Sequence, residues 1–320
     1  MAQTERAHPL RIAFFGTPQF AATVLRHLVT FDGAEVVAAV TQPDRPCGRG
    51  HRCQPPEVKV LALEHAIPVL QPETLKTREA QQALKDLQAD LFVVVAYGLI
   101  LPQAVLDIAP LGAINVHASL LPAYRGAAPI QRAIQDGCPV TGITIMQMDA
   151  GMDTGDILLQ RSLAIGIDDT AATLHDELAD MGGRLLVEAL TRRAQGRLMR
   201  LPQDHARASY APKLRKEEGL LAWDRPATVV HNHVRAFHPW PGTWFFWEHE
   251  GRRLRLNIHP GRIGETLPPG TAPGTMLGVD GDALAIACAD RAYLVSRLTP
   301  EGGKPMTGRA FACGYLRLCL

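Results

Sequence analysis

The residues best suited to chemistry in this chain are Asn115 and His117, two apart in the run "INVHASLLPAYRGAAP" that begins at Ile114, and the aspartates of the later run "DAGMDTGD". An amide can donate a hydrogen bond to a developing oxyanion, and an imidazole changes its charge near neutral pH. Neither is specific by itself, because a histidine at a strand end is commonly a satisfied structural residue. A carboxylate beside His117 would add direction: it could orient the ring, favour its charged form, or hold a water that relays protons. Asp149 and Asp156 read as turn formers and helix-dipole partners. Asp153, flanked by Gly151, Met152, Thr154 and Gly155, is harder to read as a turn former alone.

These residues need a frame. "AINVH" reads as a strand, and side chains at i and i+2 of a strand point to one side, so Asn115 and His117 should project together. "LRIAFF", "EVVAAVT" and "LFVVVA" are further strands. Between and after them, "PQFAATVLRHLVTF", "KTREAQQALKDLQ" and "PIQRAIQ" carry helical patterns. Continuous apolar runs bounded by helices suit strands buried on both faces, hence an α/β fold with a Rossmann-like open, mostly parallel sheet. Ligands of such sheets lie at the carboxyl ends of the strands, where Asn115 and His117 fall. "GITIMQM" and "GDILLQRSLAI" add two strands around the aspartate loop. "TAATLHDELADMGGRLLVEALTRR" reads as a long helix that Gly182 and Gly183 weaken in the middle.

Beyond that helix periodicity is lost, and residues 196–211 read as a linker. Further on, "TWFFWEHEGRRLRLNIH" and "ALAIACADRAYLVSRL", with Gly/Pro-rich joints, indicate a small OB-like β-barrel over 212–320. The first domain is expected over 1–195. A length of 320 residues suits two domains, and 47% hydrophobic with 20% charged residues suits a globular chain. No apolar stretch reaches the roughly 18 residues of a spanning helix. The first residues lack a signal-peptide core, and the six cysteines form no CxxC pair, so a disulfide framework and a zinc site are not expected. The expectation is a cytoplasmic protein without membrane association. Residues 1–207 carry 19 Lys/Arg against 22 Asp/Glu, and residues 208–320 carry 14 against 10. A basic tail hints at a polyanionic partner, although a few excess charges are usually solvated surface.

Dinucleotide binding fails on its glycines. "FFGTPQF" offers only Gly16 of the three that the fingerprint needs, and "GRGHRC" has two glycines but leads from no strand into a helix. GxxxxGK[ST], GxSxG and HExxH are absent. The expectation is therefore no metal and no nucleotide cofactor.

The pieces "FFGTPQFA", "TQPDRPCGRG", "VVVAYGLILP", "INVHASLLPAYRGAAPIQRAI", "TGITIMQMDAGMDTGDIL" and "RAFHPWPG" occur in order from Phe14 to Gly242. On these runs the chain closely resembles the methionyl-tRNA formyltransferase family. The Asn/His/Asp set is common to folate-dependent formyltransferases of this fold; "PDRPCGRG" and "RGAAPIQRA" narrow the likeness to the tRNA enzymes. The resemblance implies direct transfer of formyl from 10-formyltetrahydrofolate to the α-amine of methionine on initiator tRNA, with Asn115, His117 and Asp153 catalytic. It implies folate contacts at Ser119, Leu120, Leu121 and Pro122, and a main chain over Ala96, Tyr97, Gly98, Leu99 and Ile100 that closes on the pterin. It further implies that Arg45, Arg49 and Arg52 meet the tRNA acceptor end, which otherwise read as a solvated loop, and that a basic tail with Lys213, Arg215 and Lys216 binds tRNA. The enzyme is expected to act as a monomer.

Three departures from the family pattern stand out. "HRC" follows "GRG" where two lysines and an apolar residue are common, so one cation there depends on His51. Ala118 stands where many members have Gly, and the ending "FACGYLRLCL" lacks a longer Gly/Pro-containing close. The competing readings are a formyltransferase for an amino sugar or another small amine, and an inactive scaffold carrying an RNA-binding module.

Overall fold

A computed structural model describes residues 9–47, 52–249 and 251–316, which fall into two compact units. The first comprises residues up to 126 with 141–163 and 175–210; the second comprises 127–140, 164–174 and the chain from 211 onward.

The first unit is built on strands β1 (Leu10–Gly16), β2 (Ala34–Val40), β3 (Val69–Leu70), β4 (Leu91–Val95), β5 (Ala113–His117), β6 (Val140–Gln147) and β7 (Ile157–Ala164). They lie in the order β7-β6-β5-β4-β1-β2-β3. Pairing is parallel from β5 across to β3 and turns antiparallel between β5 and β6. The chain steps outward from β1 to β3 and then returns to the other side of β1 with β4. That reversal opens a crevice at the carboxyl ends of β1 and β4, with β5 beside it.

Strand alternation divides the sheet's apolar side chains between two faces. Ala13, Phe15, Phe92, Val94 and Ala113 pack with Leu84 of the helix Arg78–Asp86 and with Val105 and Leu106 of the helix Gln103–Leu106. Phe15 meets Phe92 and Tyr97 at ring centroid separations of 5.0 and 5.4 Å. Asn115 and His117 share the odd-numbered face of β5 with Ala113, past the edge of this apolar layer. Helix α1 (Gln19–Val29) buries Phe20, Val24, Leu25 and Leu28. The long helix, Ala171–Ala194, runs without a break through Gly182 and Gly183. A Cβ on Gly183 would lie 2.2 Å from the His27 ring, and one on Gly182 would lie 3.0 Å from Val116 of β5. Gly182 thus permits close approach to the strand that carries Asn115 and His117, and Gly183 permits it to helix α1.

The second unit holds two four-stranded sheets. One orders Thr243–His249, Arg252–Ile258, Arg297–Pro300 and Met306–Thr307; the other orders Arg262–Thr266, Arg291–Val295, Ala283–Ala287 and Met276–Asp280. Every pairing is antiparallel, giving the OB-like fold. Its core gathers Trp223, Phe245, Leu256, Ile286, Tyr293 and Phe311. Helix Ala227–Ala236 closes on it through Val230 and Val234, and the unit also contains the helix Pro129–Gln135. Arg132 on that helix reaches the Pro212 carbonyl and pairs with Glu218 at 2.7 Å. Cys288 is a buried free thiol, whereas Cys313 is disulfide-bonded, a bond that the lack of a CxxC spacing did not anticipate.

Candidate active site

Strand β5 delivers Asn115 and His117 by its pleat. Asn115 pairs across to Val94 in register on one side and to Met146 on the other, and His117 pairs to Thr144. The main chain is therefore fixed by ladder bonds from both neighbours. His117 is buried at 6% exposure and Asn115 is half-buried. His117 Nε2 lies 3.0 Å from the Tyr124 carbonyl oxygen. A carbonyl only accepts, so Nε2 carries the hydrogen and the neutral ring keeps its lone pair on Nδ1. Nδ1 faces Asp153 Oδ2 at 3.7 Å, an ion-pair distance for the protonated ring and beyond a direct hydrogen bond.

Asp153 sits in the loop between β6 and β7 with φ of +54°, an uncommon conformation for a residue with a Cβ. Holding it there costs on the order of 1–3 kcal/mol. Three hydrogen bonds offset that cost, each worth about 1 kcal/mol net. Gly126 N–H donates to Asp153 Oδ2 at 2.7 Å, and Gln203 Nε2 donates to the carbonyls of Asp153 at 2.9 Å and Gly155 at 2.6 Å. Gly155 itself admits no side chain, since a Cβ would lie 1.8 Å from the Gln147 carbonyl oxygen. Asp149 is the expected turn former, accepting from Gly151 N–H at 3.0 Å and Thr154 Oγ1 at 2.6 Å.

The corner after β5 is locked by Thr144. Its hydroxyl donates to the Ser119 carbonyl at 2.7 Å and accepts from Leu121 N–H at 3.1 Å and Gln160 Nε2 at 2.8 Å. Ser119 Oγ donates to the Ala123 carbonyl at 2.6 Å. Ser119 and Leu121 are buried, while Leu120 and Pro122 are half-buried. Of these four, the latter two offer side-chain surface to a ligand. On the adjacent strand end, Ala96 (φ +44°) and Gly98 (φ +86°) expose main chain and Ile100 is 88% exposed. Leu99 is half-buried, and Tyr97 is buried, with its phenol pushed up to about 12 by burial. The Tyr97 carbonyl accepts from Thr17 Oγ1 at 3.0 Å and Gln42 Nε2 at 3.2 Å, lacing the ends of β1, β2 and β4 together at the crevice.

Arg45 is exposed, and its guanidinium donates to Gln42 Oε1 at 2.6 Å. Its neighbourhood is an antiparallel hairpin, Arg45–Cys47 against Arg52–Gln54, in place of the irregular loop expected. Arg49 and the side chain of Arg52 lie outside the described residues. In the second unit, Lys213, Arg215 and Lys216 are exposed. Glu218 in the same turn is lowered from the usual carboxylate range, chiefly by its hydrogen bond from Arg132. On the Thr243–His249 and Arg252–Ile258 strands, Arg253 lies over the Phe246 ring at 3.8 Å and Arg255 over Trp244 at 4.1 Å. No group of three or more His, Cys, Asp or Glu among the described residues is placed to hold a metal. No described helix is long and apolar enough to cross a membrane.

The sequence gives no sign of three participants. Tyr124 contributes a carbonyl, Thr144 is a threonine in a strand, and Gln203 lies in a stretch without periodicity. The family-like runs "LLPAYRG" and "TGITIMQM" marked the neighbourhoods of the first two, and nothing marked the third.

Two family models match the chain: formyl transferase over residues 10–190, and formyl transferase, C-terminal domain, over 213–316. A methionyl-tRNA formyltransferase of Nitratidesulfovibrio vulgaris is 56% identical over 97% of this chain and 94% of its own length. Among solved structures, HypX from Aquifex aeolicus in complex with tetrahydrofolic acid superposes with a TM-score of 0.62 at 17% identity, over 96% of this chain. The match covers 48% of the HypX chain, about half its length. An N-formyltransferase from Helicobacter canadensis in complex with folinic acid and dTDP-3-aminofucose gives 0.61 at 17% identity, over 89% of this chain and 98% of its own. At such identities these structures speak for the fold, whereas the near-full-length sequence likeness speaks for descent. The chain belongs to the methionyl-tRNA formyltransferase family.

Proposed function

We propose that this protein transfers a formyl group from 10-formyltetrahydrofolate to the α-amino group of methionine on initiator methionyl-tRNA. The observation that carries the chemistry is the orientation of the His117 ring, with Nε2 engaged by Tyr124 O and Nδ1 facing Asp153. The donor supplies an activated formyl carbon attached to nitrogen. The methionyl nitrogen bonds to that carbon, and the bond from carbon to the folate nitrogen then breaks. Asn115 donates to the formyl oxygen as negative charge develops on it. The attacking nitrogen loses a proton to His117 Nδ1, the one ring position free to take it, and the Asp153 carboxylate stabilises the imidazolium. The proton then passes to the departing folate nitrogen, which leaves neutral.

The folate pocket is assigned to the surface of Leu120 and Pro122 and to the main chain from Ala96 to Ile100, with Ser119 and Leu121 as its buried backing. A flat heterocycle suits a slot that combines apolar walls with backbone donors and acceptors. Residues 1–195 form the catalytic domain, 196–211 the linker and 212–320 the tRNA-binding domain. Arg45, Arg49 and Arg52 meet the acceptor end, and Lys213, Arg215 and Lys216 meet phosphates. The protein acts as a monomer in the cytoplasm.

The test offers 10-formyltetrahydrofolate with charged initiator tRNA, glycinamide ribonucleotide or an amino sugar nucleotide, and follows release of tetrahydrofolate. Turnover only with charged tRNA is the expected result. Turnover with a small amine alone, or none at all, overturns the assignment.

A further inference from the structure

Gln203 lies within the stretch from 196 to 211 that reads as a linker, yet its side chain is 6% exposed and engaged at both ends. Oε1 accepts from Arg125 Nη2 at 2.7 Å and Nε at 3.3 Å. A guanidinium has no acceptor, so this contact fixes which end of the amide is oxygen. Nε2 must then point the other way, where it donates to the carbonyls of Asp153 and Gly155. Arg125, itself 2% exposed, is steadied further by His205 Nδ1 at 3.1 Å from Nη2. The next residue, Gly126, is the one whose N–H holds Asp153 Oδ2. One side chain therefore joins the main chain on both sides of the 153–155 turn to the segment that grips the carboxylate. Asp153 is fixed through its carbonyl and through its oxygen at once.

We propose that Gln203 is a positioning residue for formyl transfer, holding the 153–155 turn through its amide N–H groups so that the Asp153 carboxylate faces His117 Nδ1. The proposal rests on the roles given above to Asp153 and His117. A brace of this kind acts on a geometry needed when His117 takes up a proton, and touches neither substrate. Its loss should therefore lower kcat and leave KM alone.

Two variants of the full chain separate the parts of the brace. Gln203→Glu keeps an acceptor for Arg125 but removes the donor and turns an oxygen toward two carbonyls. Gln203→Met keeps the length and removes both functions. Steady-state formylation of charged initiator tRNA is measured beside thermal unfolding and amide hydrogen exchange over residues 149–156, with Asp153→Asn in parallel. Both Gln203 variants should lower kcat by ~10- to 100-fold, the scale of a misplacement of about 1 Å. KM for each substrate should stay within about twofold. Exchange over 149–156 should quicken while the rest of the first unit holds its protection. If Gln203→Met does not fold, Gln203→Glu, which leaves Arg125 its partner, carries the test. Wild-type kcat in Gln203→Glu, or a rise in KM at unchanged kcat, overturns the proposal. If Asp153→Asn loses turnover while the Gln203 variants keep it, the brace is refuted and the role of Asp153 stands. If Asp153→Asn also turns over normally, that role falls and the proposal falls with it.

Discussion

The Tyr124 carbonyl occupies Nε2 of His117 and leaves Nδ1 facing Asp153. Asn115→Ala, His117→Ala and Asp153→Ala should each reduce turnover by at least ~10²-fold, the usual scale for an oxyanion donor or a general base. Folding and tRNA affinity should survive. Near-wild-type turnover in His117→Ala would refute the proton path. Arg45 poses a different question, because its guanidinium already contacts Gln42, which holds the Tyr97 carbonyl. A planar fork that binds a neutral amide on one edge can still grip phosphate or stack on a base with the rest, and an ammonium cannot copy that. Arg45→Lys should lower kcat/KM for charged tRNA by at least ~10-fold, about 1.4 kcal/mol, and leave folate binding nearly unchanged. Equal tRNA constants for the lysine variant and wild type would reduce Arg45 to surface charge.

Among the elements, the helix Ala227–Ala236 carries two histidines whose titration links stability to pH. His233 is pushed down to about 4 by burial, against weaker opposing contributions from Glu218, and His231 is lowered for the same first reason. His231 Nε2 contacts the Ile167 carbonyl at 2.7 Å, and Arg235 donates to the carbonyls of Gly166 and Asp169 at 3.0 and 2.9 Å. The helix thus anchors the 166–169 turn with groups kept out of water. In the unfolded chain His233 takes a proton once the pH falls below about 6.5, whereas the folded chain resists until about 4. Stability present above the unfolded value is therefore lost across that window, in total on the order of 3 kcal/mol from this group. His233→Gln removes the titration. Denaturant unfolding at about pH 7.5 and about pH 5 should show a smaller drop in stability on acidification in the variant than in wild type. Equal drops would place the acid sensitivity elsewhere.

For the whole molecule, the proposed meeting with tRNA is a question of charge. The excess of basic over acidic residues lies in the region from 208 to 320. There Arg253 and Arg255 are laid over aromatic rings, an arrangement that would limit the rotamer freedom given up if they meet phosphate. Affinity for tRNA should fall steeply with salt as counterions are released. Charge reversal at Lys213, Arg215 or Arg253 should reduce the slope of log affinity against log salt by about 1 for each phosphate no longer neutralised. Filter binding across a salt series checks this, and salt-independent affinity would contradict a phosphate-led interface.

What the sequence determined alone is whatever local period and local chemistry determine. Residues two apart in "AINVH" share a face of any strand, so Asn115 and His117 were bound to project together. Apolar runs without alternation demanded a sheet covered on both sides, and the missing glycines argued against a dinucleotide. Asp153 stood out through its flanking glycines, one of which proves to admit no side chain. What only the tertiary structure decided depends on pairings between residues far apart in the chain. Gln203 meets Arg125 across 78 positions and Gly155 across 48, and Thr144 meets Leu121 across 23. No spacing or propensity records such pairs, and a stretch without periodicity reads as a linker whether or not one of its side chains is buried. The burial of Ser119 and Leu121 was equally hidden, because it follows from the packing of that corner against Thr144 and Gln160. The same holds for His117: its residue type suggested proton chemistry, but only the carbonyl of Tyr124, brought round by the "LLPAYRG" turn, decides which ring nitrogen faces Asp153.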